Sequence, residues 1–152
     1  MKTKVVIIED NFPLRKGFAE IINATDNFIV ENDYDNCEDA IINLKNDNAT
    51  IFLVDIELPG INGVEGVKEI KKVLPNANII MVTVYENSEI VFDALCAGAT
   101  GYLTKNISPS EIIDALNEIM AGGAPMSIKI AKMVVNSFQK KQKVLLNIIF
   151  IW

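Results

Sequence analysis

Glu9, Asp10, Asp55, Thr83 and Lys105 are the side chains in this sequence whose types and spacing could do chemistry together. Asp55 closes the apolar run Ile51-Phe52-Leu53-Val54, and Pro59-Gly60 turn chemistry follows closely. A run that short and apolar predicts a strand buried on both faces. The carboxyl end of such a strand is where open α/β sheets place ligands. Aspartate also starts turns, so Asp55 alone carries two readings. Glu9-Asp10 end another apolar strand, and crowded carboxylates raise one another's pKa unless a cation neutralises them. A hard, oxygen-liganded ion that keeps several waters, Mg²⁺ above all, suits so sparse a set. Thr83 closes the fourth strand, and Lys105 follows the fifth. A carboxylate nucleophile, a divalent cation, a hydroxyl donor and an ammonium are the parts needed to receive a phosphoryl group. Taken singly, Glu9 and Asp10 are solvated residues or a helix cap, Thr83 a β-favouring residue and Lys105 a surface lysine. Their arrival together at four strand ends is what argues for chemistry.

The elements that must position them follow from apolar periodicity. Strands are predicted at Lys4–Ile8, Phe28–Tyr34, Ile51–Asp55, Ile79–Thr83 and Gly101–Thr104. Helices are predicted at Phe12–Asn23, Cys37–Asn46 (capped by Asn36), Val64–Val73, Ser88–Ala97 and from Ser108-Pro109-Ser110-Glu111 onward. Glu31, Asn32 and Asp33 make the second strand polar enough for a sheet edge. Five βα units predict an α/β, doubly wound parallel sheet in the order 2-1-3-4-5, whose switch point lies between strands one and three. That order brings Glu9, Asp10 and Asp55 to one crevice. After Gly122-Gly123-Ala124-Pro125, a break, a further helix is predicted over Ser127–Gln142, with lysines on its wet side. The expected division is a domain at 1–122, a linker helix at 123–143 and an apolar tail at 144–152.

Composition narrows the function classes. Of 152 residues, 50% are hydrophobic and 22% charged, a globular balance, and the net charge of -6 is a poor footprint for nucleic acid on the body of the domain. The absence of histidine excludes histidine-based catalysis and the common zinc ligand sets. Cys37 and Cys96 lack C-x-x-C spacing and are expected as buried thiols in a reducing compartment. With no room for a signal peptide before the first strand, the expected location is cytoplasmic, with no membrane association.

Glu9-Asp10, Asp55 followed by Pro59-Gly60, Thr83 and Tyr102-Leu103-Thr104-Lys105 resemble the receiver domain of bacterial two-component response regulators. Asn11-Phe12-Pro13-Leu14-Arg15-Lys16-Gly17, Ala97-Gly98-Ala99-Thr100-Gly101-Tyr102-Leu103 and Ala121-Gly122-Gly123 resemble its NarL/FixJ (LuxR-type) branch. The resemblance runs from about Lys4 to Met120 and implies a flavodoxin-like receiver fold. It implies that Asp55 accepts a phosphoryl group from a histidine kinase, as a switch rather than a turnover enzyme, with at most Mg²⁺-dependent self-phosphorylation and autodephosphorylation. Asp10, Asp55 and the backbone carbonyl of Glu57 would hold Mg²⁺, with Glu9 acting through water. Thr83 and Tyr102 would form the switch pair, Tyr102 turning inward and reshaping the surface of the fourth helix, fifth strand and fifth helix. Homodimerisation on phosphorylation is a further expectation. On an unrelated footing, Tyr102 also reads as an aromatic half-buried on an edge strand.

Departures from the family pattern carry their own expectations. Val84 stands where a smaller residue is usual and is expected to slow both small phosphodonors and acyl phosphate hydrolysis. Asn106 replaces a proline that often follows the lysine. A NarL/FixJ output module needs on the order of 60 further residues, so DNA would be reached only through a helix-turn-helix domain that is not expected in this chain. The apolar stretch Val144–Trp152 reads as an accident of truncation or frame ahead of a packing element or a weak membrane contact, since exposed apolar runs are a liability. Three rivals remain. A haloacid-dehalogenase-type phosphatase would carry a second Asp where Glu57 stands. A flavodoxin-like binding module would need more Ser, Thr and Gly after Ile8, and a pseudo-receiver would not need the complete acidic set.

Overall fold

The computed structural model describes the backbone of residues 1–151 and the side chains through Ile149. β1 (Thr3–Ile8), β2 (Phe28–Tyr34), β3 (Ile51–Val54), β4 (Asn78–Thr83) and β5 (Gly101–Thr104) form one all-parallel sheet in the predicted order β2-β1-β3-β4-β5. α1 (Phe12–Asn23) and α6 (Pro109–Met120) bury Phe18, Ile22, Ile112 and Leu116 against one face. α2 (Cys37–Ile42), α3 (Leu44–Asp47), α4 (Gly63–Val73) and α5 (Ser88–Ala97) bury Cys37, Leu44, Ile70 and Val91 against the other. Every residue of β3 is buried, as expected for a strand covered on both faces.

Five helices, α1, α2, α4, α5 and α6, start with a side-chain cap. Asn11, Asn36, Asn62 and Asn87 each accept a hydrogen bond from the backbone amide three residues on, and Ser108 with Glu111 forms a full capping box. The helix predicted over Cys37–Asn46 divides at Asn43, whose Nδ2 donates to the Asp39 carbonyl at 2.8 Å and competes with the helical ladder there.

The two sheet edges differ. β2 is an edge, as its polarity predicts, and a register shift between Val5 and Val6 leaves Glu31 unpaired in a bulge. At the other edge, the Tyr102 amide donates to the Pro125 carbonyl at 2.9 Å and the Ser127 amide to the Tyr102 carbonyl at 3.1 Å. The Thr104 amide donates to Ser127 Oγ at 3.1 Å. The stretch read as a break therefore runs beside β5 and covers it. Gly101 permits the approach, since a Cβ there would stand 2.9 Å from both Pro125 Cγ and its carbonyl oxygen.

α7 (Ile128–Ile151) follows, beginning one residue later than predicted and running on through the stretch expected to be a separate tail. Trp152, the last residue of that stretch, lies outside the described residues. The first turns of α7 pack on the domain through Ile130, fully buried, and Met133, while Lys129 Nζ lies 2.6 Å from Glu86 Oε2. No helix among the described residues is long and apolar enough to cross a membrane. One expectation is corrected. Cys37 is buried, but Cys96 is exposed, because α5 turns Val91 and Ala94 rather than Cys96 to the core.

Candidate functional site

The crevice forms where β1 and β3 end side by side. The Asp55 amide donates to the Ile8 carbonyl at 3.0 Å, which sets the two strand ends level. Gly63, at the start of α4, lies so close to the Asp55 carbonyl that no larger residue fits without movement. Its amide donates to the Ile56 carbonyl at 2.8 Å, pinning the loop that leaves Asp55.

Three of the five predicted side chains meet in direct contact. Lys105 Nζ stands 2.7 Å from Asp55 Oδ2 and 2.6 Å from Glu9 Oε1. The first is a hydrogen bond, whereas Glu9 Oε1 is close to the ammonium without hydrogen-bond alignment and has no other partner among the described residues. Asp55 Oδ1 accepts from the Ile56 amide at 2.7 Å, and Glu9 Oε2 from the Asn11 amide at 3.1 Å. Glu9 and Asp55 are buried and Asp10 is exposed at the rim, yet one oxygen from each lies within 4.8 Å of the others. Burial pushes the Glu9 carboxyl from 4.5 up to about 7, with Lys105 and the Asn11 amide opposing and the Asp55 charge adding to the rise. Burial alone would lower the Lys105 pKa, but its two carboxylate partners outweigh that and hold it above the ordinary value. Three carboxylates against one ammonium leave an oxygen-rich, electron-rich pocket, and its donor set fits a hard divalent cation.

Thr83 is fully buried at the end of β4, where its carbonyl accepts from the Lys105 amide at 3.0 Å. Its Oγ1 accepts a long hydrogen bond from the Tyr85 amide at 3.4 Å. Tyr102 is fully buried too, not half-buried, because the 124–127 segment and α7 cover its strand. Its hydroxyl donates to the Tyr85 carbonyl at 2.7 Å. Burial, with the Asp55 charge adding, pushes that phenol up to about 12, so it stays a donor. The Glu57 side chain is exposed beside Asp55 and accepts from the Tyr85 hydroxyl at 3.0 Å. Val84 is exposed, and Asn106 Oδ1 accepts from Thr104 Oγ1 at 2.6 Å. No peptide bond among the described residues is cis.

Two residues of this site were not singled out from sequence. Arg15 donates through Nη1 to the Glu9 carbonyl at 2.7 Å and through Nε to Asp33 at 2.8 Å, which ties the end of β1 to β2. Tyr85 joins Thr83, Tyr102 and Glu57. Both act through polar contacts to residues distant in sequence, where apolar periodicity gives no signal; the only sequence sign of Arg15 was its place in the family-like stretch after Asn11.

Residues 5–117 match the model of the response regulator receiver domain. The chain is 33% identical over 143 residues to an uncharacterized transcriptional regulatory protein, YxjL, of Bacillus subtilis, covering 93% of this chain and 66% of that protein. It is 28% identical to the response regulator GacA of Pseudomonas aeruginosa, covering 91% of this chain and 65% of the relative. It thus spans about two thirds or less of the curated relatives it matches. A LuxR-family two-component response regulator from Aurantimonas superposes with a TM-score of 0.84 at 26% identity, covering 90% of this chain and 98% of that structure. With the β2-β1-β3-β4-β5 sheet and the acidic crevice at its switch point, the chain belongs to the response regulator receiver domain family, alongside LuxR/NarL-type relatives.

Proposed function

We propose that this chain is a phosphorylation switch in which Asp55 accepts a phosphoryl group from a histidine kinase. The observation that carries the reading is the contact of Lys105 Nζ with Asp55 Oδ2 at 2.7 Å in a buried acidic crevice. An Asp55 carboxylate oxygen bonds to phosphorus as the bond from phosphorus to the donor's imidazole nitrogen breaks, leaving an aspartyl phosphate and a neutral imidazole once that nitrogen holds a proton. The Ile56 amide holds the other carboxylate oxygen and so fixes the face that attacks. Lys105 turns from the free carboxylate to the new phosphoryl oxygens, and Thr83 donates its hydroxyl to one of them.

Asp10, Asp55 and the Glu57 carbonyl would hold Mg²⁺, with Glu9 reaching it through water; when bound, the ion neutralises charge on the transferring group. Withdrawal of Thr83 Oγ1 toward the phosphoryl group would free the Tyr85 amide. Tyr85 carries the acceptor for the Tyr102 hydroxyl, so the change passes to β5 and the surface formed by α5, β5 and α6. The kinase, dimerisation on phosphorylation and control of transcription through an output domain belong to this same reading, supported by the names of the relatives. A cytoplasmic location fits such a partner.

The test is incubation with Mg²⁺ and acetyl phosphate, followed by intact mass. Wild type is expected to gain one phosphoryl group and Asp55→Ala none. A stable phosphoryl group on the alanine variant would overturn the assignment, and turnover of free phosphate esters would restore the phosphatase rival. Val84→Ala is expected to shorten the lifetime of the acyl phosphate, read as phosphate release.

A further inference from the structure

We propose that the outward side of α7 is the seam of a parallel two-stranded coiled coil between two copies of this chain. The helix is anchored by Ile130 and Met133, and its lysine-rich side faces α5 across a groove lined by Phe92, Lys129, Met133 and Lys140, with Leu145 bordering both this groove and the outward side. The opposite side repeats in threes and fours. Ile128, Val135 and Ile149 occupy heptad positions a, and Ala131, Phe138 and Leu145 occupy positions d. The five large residues of this set are each more than half exposed.

Three observations favour a second copy over any other occupant, and charge selects its orientation. The first is area: covering the exposed parts of these side chains on two copies would remove on the order of 1,200 Å² from water, the lower bound for a specific interface. The second is Gln142, the one polar residue in the repeat, at an a position where its counterpart faces it in a parallel pair; a buried polar residue there fixes register and copy number. The third concerns Leu146 and Ile148, both exposed at positions e and g of the last heptad. There they widen the seam and account for apolar residues that a one-sided stripe leaves unexplained. Charge decides between a parallel and an antiparallel pair. α7 carries five lysines and no carboxylate. In a parallel pair Lys141 at g meets the second copy's Leu146 at e, so no two ammonium groups oppose each other there. An antiparallel pair sets g beside g and brings the two Lys141 side chains together. The expected association is weak and independent of phosphate on Asp55.

Sedimentation of the full chain up to about 100 µM is expected to show a monomer–dimer equilibrium, which Phe138→Glu weakens at least about tenfold. Because Phe138 is exposed, unchanged far-ultraviolet dichroism is expected for that variant. Orientation is read by cross-linking in a Cys96→Ser background, Cys37 being buried. With copper phenanthroline as oxidant, Val135→Cys thiols are expected to join between copies, while Lys140→Cys thiols, at an outer f position, are not. A wild-type chain that stays monomeric overturns the proposal. So does equal cross-linking at Lys140. Binding of the monomer to phosphatidylglycerol vesicles, abolished by Phe138→Glu, would overturn it in favour of a lipid surface.

Discussion

The carboxylate crevice and the covered edge of β5 lie in the same sheet but are held by different forces. In the crevice, Glu9, Asp55 and Lys105 are packed charge against charge, with Glu9 far from its ordinary titration range. At β5, Tyr102 is held by packing, three backbone-directed hydrogen bonds and a segment laid along the strand. A region held by charge can be reset by a proton, a cation or a phosphoryl group at small cost. A region held by packing changes only between discrete arrangements. The difference suits an input site and a responding surface, and it is open to attack from both sides.

The largest expected effect is at β5. Tyr102→Ala removes a fully buried ring and is expected to cost about 3–5 kcal/mol in urea denaturation. A cost under about 1 kcal/mol would mean that the edge is not packed as described.

Next is the crevice. The folded-state carboxyl of Glu9 titrates near 7 rather than 4.5, so the folded chain holds a proton that the unfolded chain has lost. Stability without added cation is therefore expected to fall by roughly 3 kcal/mol as pH rises between those two values, and to be level below them. Glu9→Gln should flatten that slope, and Tyr102→Ala should leave it unchanged. Thermal melts across pH 4 to 8 separate the two cases.

Gly101→Ala is smaller. It forces the Pro125 segment away from β5 and is expected to cost roughly 1–2 kcal/mol, with faster hydrogen exchange at the Tyr102 and Thr104 amides. Lys129→Ala is smallest, at most ~0.5 kcal/mol, because its pair with Glu86 is solvent-exposed.

The sheet order and the meeting of Glu9, Asp10 and Asp55 were legible because short apolar runs alternate with amphipathic stretches, and that alternation leaves few topologies. Asn36 as a helix cap was legible for the same local reason. What was not legible depended on long-range backbone contact. Gly122-Gly123-Ala124-Pro125 has the composition of a turn, and nothing in it announces that Pro125 and Ser127 pair with Tyr102. The full burial of Tyr102 escaped with it. Asn43 looked like a helix interior until its side chain found the Asp39 carbonyl. The heptads of α7 were hidden because the lysines at Lys140 and Lys141 divided the stretch into a wet helix and an apolar tail.

Tyr102 offers its hydroxyl to the loop above Thr83 and its own amide and carbonyl to the segment that leads into α7. On the proposed reading, Tyr102 is the last link of a route that runs from Thr83 through Tyr85 to the covered edge of the sheet. Under the proposed switch, substitutions that leave Asp55 phosphorylation intact but silence the response are expected at Tyr85 and Tyr102, so a random screen for uncoupled variants would return those positions repeatedly.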